Sequence, residues 1–262
     1  MTAVSSGTHA SAAARASGRP MLPLLRRGLA AGGLAGLAGG LFSLLLAEPL
    51  MDRAIRQEEE REHAHAAAGV THHHEELFSR GTQHFGLVVT AVVVGLALGV
   101  FFAIAYALVH RATALTDRDR PWPRAVLLAA AGFTALSLLP GLRYPANPPG
   151  VGDGGTVRER QVLWLAALVI GVLGVLLAWQ LHRLLAGRAA PVRHLAAAGA
   201  LVATLAALFL LPGNPDPVPV DAQLLWDFRM LSLASHAVLW AALGVAFGWL
   251  GLRAARPRGT PA

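Results

Sequence analysis

Between Glu48 and His84 the chain gathers six of its 11 histidines: His63, His65, His72, His73, His74 and His84. The same stretch carries Glu48, Asp52, Glu58, Glu59, Glu60, Glu62, Glu75 and Glu76. Imidazole nitrogen and carboxylate oxygen both ligate first-row divalent metals. Their concentration in one segment points to metal capture, with His63, His65, His72, His73, His74, His84, Glu48, Asp52 and Glu59 as the candidate ligands. If the preceding helix continues, Glu48, Asp52, Glu59 and His63 share one of its faces. His63 and His65 point the same way only in extended chain. His72-His73-His74 is too compact for three ligands on one helical face and suits an adaptive site. A competing reading makes the Arg56–Arg61 run a solvated helix face, with Asp52 and Arg56 spaced for an i,i+4 ion pair. Nitrogen and oxygen ligands favour nickel and copper, so geometry or availability must select any weaker binder.

Two further segments carry polar residues. Leu142-Arg143-Tyr144-Pro145-Ala146-Asn147-Pro148-Pro149 and the following Gly150–Gly155 combine prolines that pre-set the backbone with glycines that permit tight turns. Asn147, Asp153 and Glu159 there serve either as outer oxygen ligands or as parts of a turn-forming cap. Gly213–Asp221 is a second proline-rich loop, leading to Trp226-Asp227-Phe228-Arg229. Beyond it, Arg229, Ser232, His236 and Trp240 fall on one helical face. His236 lies roughly 17 Å along that helix at 1.5 Å per residue, near the middle of a bilayer. An ionisable group at that depth marks a conduction path or a neutral imidazole bonded between helices. Asp227, Arg229 and His236 are the candidate path residues. There is no P-loop, H-E-x-x-H or G-x-S-x-G, so no enzymatic activity is expected. The absence of Cys excludes disulfides and thiolate metal sites.

The elements that position these groups are set by hydropathy. The 262 residues are 55% hydrophobic and only 14% charged, against about 25% charged in soluble domains. Six stretches approach the roughly 20 apolar residues that a membrane span needs: Gly28–Leu46, Phe85–Leu108, Ala125–Leu142, Val162–Leu181, Leu195–Leu211 and Leu224–Leu252. The third has a short apolar core that stops at Pro140; a buried helix there would leave five spans. The predicted fold is an all-α polytopic bundle in the plasma (inner) membrane. Alternating the six spans puts 14 of the 22 Arg on the side of the termini and 13 of the 15 acids on the other. Arg is retained in the cytoplasm, so both termini are expected inside and the His/Glu-rich loop 48–84 outside. This use of the +7 net charge argues against nucleic-acid binding.

Residues 1–25 read as a disordered cytoplasmic tail, 26–253 as the transmembrane bundle and 254–262 as a second cytoplasmic tail. Arg26-Arg27 before an apolar run is similar to a twin-arginine export signal. Glu48-Pro49 stands where a cleavage site would be wanted, so an uncleaved span is expected. Gly28, Gly32, Gly36 and Gly40 form a smooth stripe on the first span for close helix approach. Pro49, Pro140 and Pro212 end the outgoing spans, a faint sign of three related hairpins.

Several segments together resemble the CbtA family of cobalt transporter subunits. They are Glu48-Pro49 with Asp52-Arg53-Ala54-Ile55, Glu58-Glu59 and the His-rich tract; Ser79-Arg80-Gly81 with Gln83; Leu142–Pro149; Val151-Gly152-Asp153; and Leu224-Leu225-Trp226 with Phe228-Arg229. The resemblance covers roughly Arg27 to Leu252. It implies an inner-membrane protein of cobalt uptake for cobalamin synthesis, working with a small single-span CbtB-like subunit that bears its own His motif. It also implies five spans, one fewer than hydropathy suggests. The expected function is therefore capture of a divalent ion, Co²⁺ by the resemblance, on the external loop and its passage through the bundle. The ion is cargo, with no tightly bound cofactor. The alternative is a membrane-anchored metal sensor or scaffold that transports nothing.

Overall fold

The computed structural model describes residues 21–47, 49–56, 80–113, 120–148 and 151–255. Among them every regular element is helical. The long helices are α1 (Met21–Phe42), α2 (Arg80–Thr113), α3 (Pro121–Phe133), α5 (Val157–Leu184), α6 (Ala190–Phe209) and α7 (Ala222–Ala255); α4 (Leu139–Arg143) is a single turn. Six helical stretches are long and apolar enough to cross a bilayer: Met21–Ala47, Gly81–Val109, Pro121–Arg143, Gly154–Leu184, Ala190–Phe209 and Ala222–Ala255. Large apolar side chains such as Leu34, Val93, Phe101, Leu173 and Leu210 project from the bundle. That outward face would aggregate in water and is stable in lipid.

Helix α1 begins at Met21, so residues 21–25 belong to the first span and not to the expected tail. Pro23 fits the first turn, where a missing N–H leaves no intrahelical bond unmade. The predicted loop is shorter than 48–84 at both ends. Residues 49–56 are helical, and α2 starts at Arg80, placing His84 in a helix.

The third span does not stop at Pro140. Thr134–Leu138 form a π turn in which the Leu139 N–H donates to the Thr134 carbonyl, five residues back. The wider turn shifts the ladder just ahead of a residue that has no N–H to give. Helix α4 then carries the span to Arg143. A second π turn, Ser43–Ala47, stands ahead of Pro49 in the first span. Helix α6 instead ends at Phe209 ahead of Pro212, with no π turn, so the three proline ends differ in construction.

The helices lie side by side in the order α2, α1, α7, α3, α5, α6. The glycine stripe of α1 meets small residues of α2: Gly28 opposes Gly99, Gly32 opposes Gly95 and Gly99, and Gly36 opposes Ala91 and Val92. A Cβ on Gly32 would come within 2.9 Å of the Gly99 Cα. Backbone-to-backbone contact of this kind gives van der Waals attraction where lipid offers no hydrophobic drive. Gly171 lets α5 cross the third span, since a Cβ there would lie 2.6 Å from the Ala135 carbonyl.

The main core joins α1, α2, α3 and α7 towards the end of the bundle where α1 begins and α7 ends, the termini end. Ala31 and Ala35 pack with Phe102, Tyr106, Ala125, Ala129, Trp240, Leu243 and Phe247. At the opposite end, Leu50 and Ala54 pack on Leu224, and Leu139 packs with Ala167 and Leu208.

Candidate functional site

The end away from the termini is tied together by the two proline-rich loops. Arg143, at the end of α4, donates from Nη2 to the Leu211 carbonyl at 2.6 Å, and the Tyr144 hydroxyl donates to the Pro212 carbonyl at 2.7 Å. Arg229 Nη2 donates to Asn147 Oδ1 at 2.9 Å, linking the α4–α5 loop to α7. Asp216, between two prolines, is buried; it accepts from Thr156 Oγ1 at 2.8 Å and lies 3.1 Å from Arg160 Nε. Arg160 also donates to the Asp153 carbonyl at 3.0 Å, while the Asp153 carboxylate accepts from the Gly155 N–H. Gly152, at φ 111°, passes directly against the Arg160 guanidinium, where a side chain would collide. The Asp221 carboxylate caps α7 through the N–H groups of Gln223 and Leu224, each at 3.0 Å.

Asn147 and Asp153 are engaged in a cap that clamps helix ends. Arg229, an expected path residue, is likewise bonded within that cap. The Asp216, Arg160 and Thr156 triangle was not legible in the sequence. Its one signal is a lone acid set in a proline run, Pro215-Asp216-Pro217.

Beside this cap lies a cavity of about 170 Å³, bounded by Ser43 and Ala47 of the first π turn, Leu50 and Met51, Leu87 of α2, and Phe228, Leu231, Ser232 and Ser235 of α7. At about 30 Å³ per water it has room for a few waters. Asp52, His84, Asp227 and His236 are not among its lining residues, although each lies next to, or one turn from, one of them in sequence. Asp52, His84 and Asp227 are half-buried. Asp227 accepts from Gln223 Nε2 at 2.9 Å, one turn earlier on α7.

The stripe of α7 that includes His236 changes character along its length. Phe247, Leu243 and Trp240 are buried, with Trp240 Nε1 donating to Ser137 Oγ at 3.1 Å and its ring lying over Gly132. One turn further from the termini His236 is exposed, and Ser232 and Arg229 are half-buried. Shared helical face therefore does not mean shared environment. The buried, apolar part of the stripe ends at Trp240, and polar side chains follow from His236. Deeper still, the Arg27 guanidinium lies 3.8 Å from the Phe247 ring centroid and 5.0 Å from that of Tyr106.

Glu48, Glu59, His63, His65, His72, His73 and His74 lie outside the described residues. Among the described residues no three His, Asp or Glu side chains are grouped to hold a metal ion together. Sequence reading also passed over His182 and His194, whose rings stack at 5.8 Å where α5 turns into α6.

Comparison with known proteins gives one family. A search of curated proteins and a search of solved structures each gave no match. The model of the family described as "probable cobalt transporter subunit (CbtA)" matches residues 22–251, nearly the whole described bundle. With its six candidate spans, the chain is a multi-pass membrane protein, and it belongs to the CbtA family of cobalt transporter subunits.

Proposed function

We propose that this chain is the ion-conducting subunit of a cobalt uptake system. The His/Glu-rich segment before α2 collects the divalent ion outside the cell. Glu48, Asp52 and Asp227 receive it, and a path through the 170 Å³ cavity and past His236 leads it inward. The observation that carries this reading is the change along α7 from buried apolar Trp240 to exposed His236, with Ser232 and Ser235 of the same helix on the cavity wall. A bundle built only to anchor a sensor has no need of an ionisable group at that depth.

The Arg distribution supports termini in the cytoplasm and the His/Glu segment outside. The stretches before α1 and after α7 are then cytoplasmic. A small single-span CbtB-like subunit completes the system, and no nucleic-acid or catalytic role is assigned. Ligating imidazole must be neutral, so capture weakens as pH falls below about 6.5, where protons compete for the ring nitrogen.

The test is radiotracer cobalt uptake in cells expressing this chain with and without the single-span partner. Uptake that depends on the chain, and falls when His63, His65 and His72–His74 become Ala, supports the proposal. Cobalt binding by the purified pair without flux into liposomes would instead favour the sensor or scaffold.

A further inference from the structure

A second, larger cavity lies at the termini end of the bundle and has no part in the proposed path. Its volume is about 510 Å³, and it is open to the outside of the bundle as a groove. Its walls are Pro23, Leu24 and Ala30 of α1 and Leu250 and Ala254 of α7, all apolar. Arg26 and Arg27 are the polar residues on its lining. Arg27 is turned into the core against Phe247 and Tyr106. Arg26 is exposed, and among the described residues it makes no ion pair.

We infer that this groove binds an anionic phospholipid, its phosphate on Arg26 and an acyl chain against Leu24, Ala30 and Leu250. An apolar trough with a guanidinium at its rim matches a molecule with a hydrocarbon tail and an anionic head. The groove opens near the start of α1, and Arg26, its sixth residue, falls about 7 Å from that end, near the edge that a roughly 30 Å hydrocarbon core would have within this 27-residue span. A guanidinium offers paired N–H donors that fit two phosphate oxygens. The charge balance argues against the chain's own first 20 residues as occupant. They contain Arg15 and Arg19 and no Asp or Glu, so Arg26 would repel them. Arg253, exposed in the last turn of α7 and stacked 3.5 Å over the Trp249 ring centroid, adds to the positive field at the same end. This inference is independent of cobalt transport.

Native mass spectrometry of the purified full chain tests it, in detergent doped with phosphatidylglycerol or phosphatidylcholine. Phosphatidylglycerol should be retained in preference to phosphatidylcholine. Arg26→Ala should weaken that retention about tenfold, the loss of one charge-assisted contact, and Arg26→Lys should restore part of it. Ala30→Trp, which fills the groove from an exposed position, should also lower retention, while Arg188→Ala at the α5–α6 turn should not. Equal retention of the two lipids, or equal retention of phosphatidylglycerol by wild type and both groove variants, would overturn the assignment. So would displacement of the lipid by inorganic phosphate alone, which would leave the trough without a role.

Discussion

Replacing Asp216 by Ala tests whether the proline-rich loops hold the helix ends together. The Asp216 side chain is only 3% exposed, and it receives Thr156 Oγ1 at 2.8 Å and Arg160 Nε at 3.1 Å. The hydroxyl bond contributes about 1 kcal/mol, and the Arg160 contact adds an ion pair without hydrogen-bond alignment. Arg160, however, is 31% exposed, so water re-solvates its guanidinium once the carboxylate is gone. That rehydration brings the ionic share down to about 1 kcal/mol. The total loss is then about 2 kcal/mol. For a chain of this size it corresponds to a fall in Tm of roughly 4–8 °C. Asp216→Asn keeps the shape and the Thr156 bond and should cost about half as much. The six tryptophans supply the signal for thermal unfolding of the purified protein in detergent. In a double-mutant cycle, Asp216→Ala and Arg160→Ala should be non-additive by about 1 kcal/mol, because both remove the same pair. An unchanged Tm in Asp216→Ala, or strict additivity with Arg160→Ala, would refute the clamp.

Other outcomes follow from the same geometry. Gly32→Val should destabilise the bundle by about 2–4 kcal/mol in a detergent melt, since the new side chain meets the backbone of Gly95 and Gly99. Gly33→Ala, which faces only the movable Leu96 Cδ2 at 3.3 Å, should be near neutral in the same melt. Trp240→Phe should lose about 1 kcal/mol with its bond to Ser137, and Ser137→Ala should add little further in that background. His236→Ala should leave Tm close to wild type, because the imidazole is exposed, yet reduce cobalt uptake. Cobalt capture by the intact protein should be stronger at pH 7.5 than at pH 5.5 when followed by isothermal titration, the sign set by proton competition at imidazole.

The span count was legible because length and apolarity decide it, and both are local properties of the chain. The glycine stripe was legible for the same reason, since four-residue spacing alone places Gly28, Gly32 and Gly36 on one face. What hydropathy obscured was the third span. Pro140 reads as a stop, and only the π turn ahead of it lets the helix pass through. The site is harder. Arg229 and Asn147 are 82 residues apart, and their bond reflects how two loops fold over one another, which no periodicity encodes. Periodicity likewise grouped His236 with Trp240. Their surroundings differ because Gly132 and Ser137 of the third span receive the indole, whereas His236 is left open. The six imidazoles and eight carboxylates of the His/Glu segment are visible in composition alone, but most of that segment lies outside the described residues.

The central claim is that this bundle conducts the ion past His236. The direct measurement is flux of radioactive cobalt into liposomes that contain the purified chain and its single-span partner, with wild type and His236→Ala compared at equal protein content. Flux in the wild type that drops several-fold in His236→Ala, with cobalt binding to the His/Glu segment retained, is the predicted result. Equal flux in both would contradict the account.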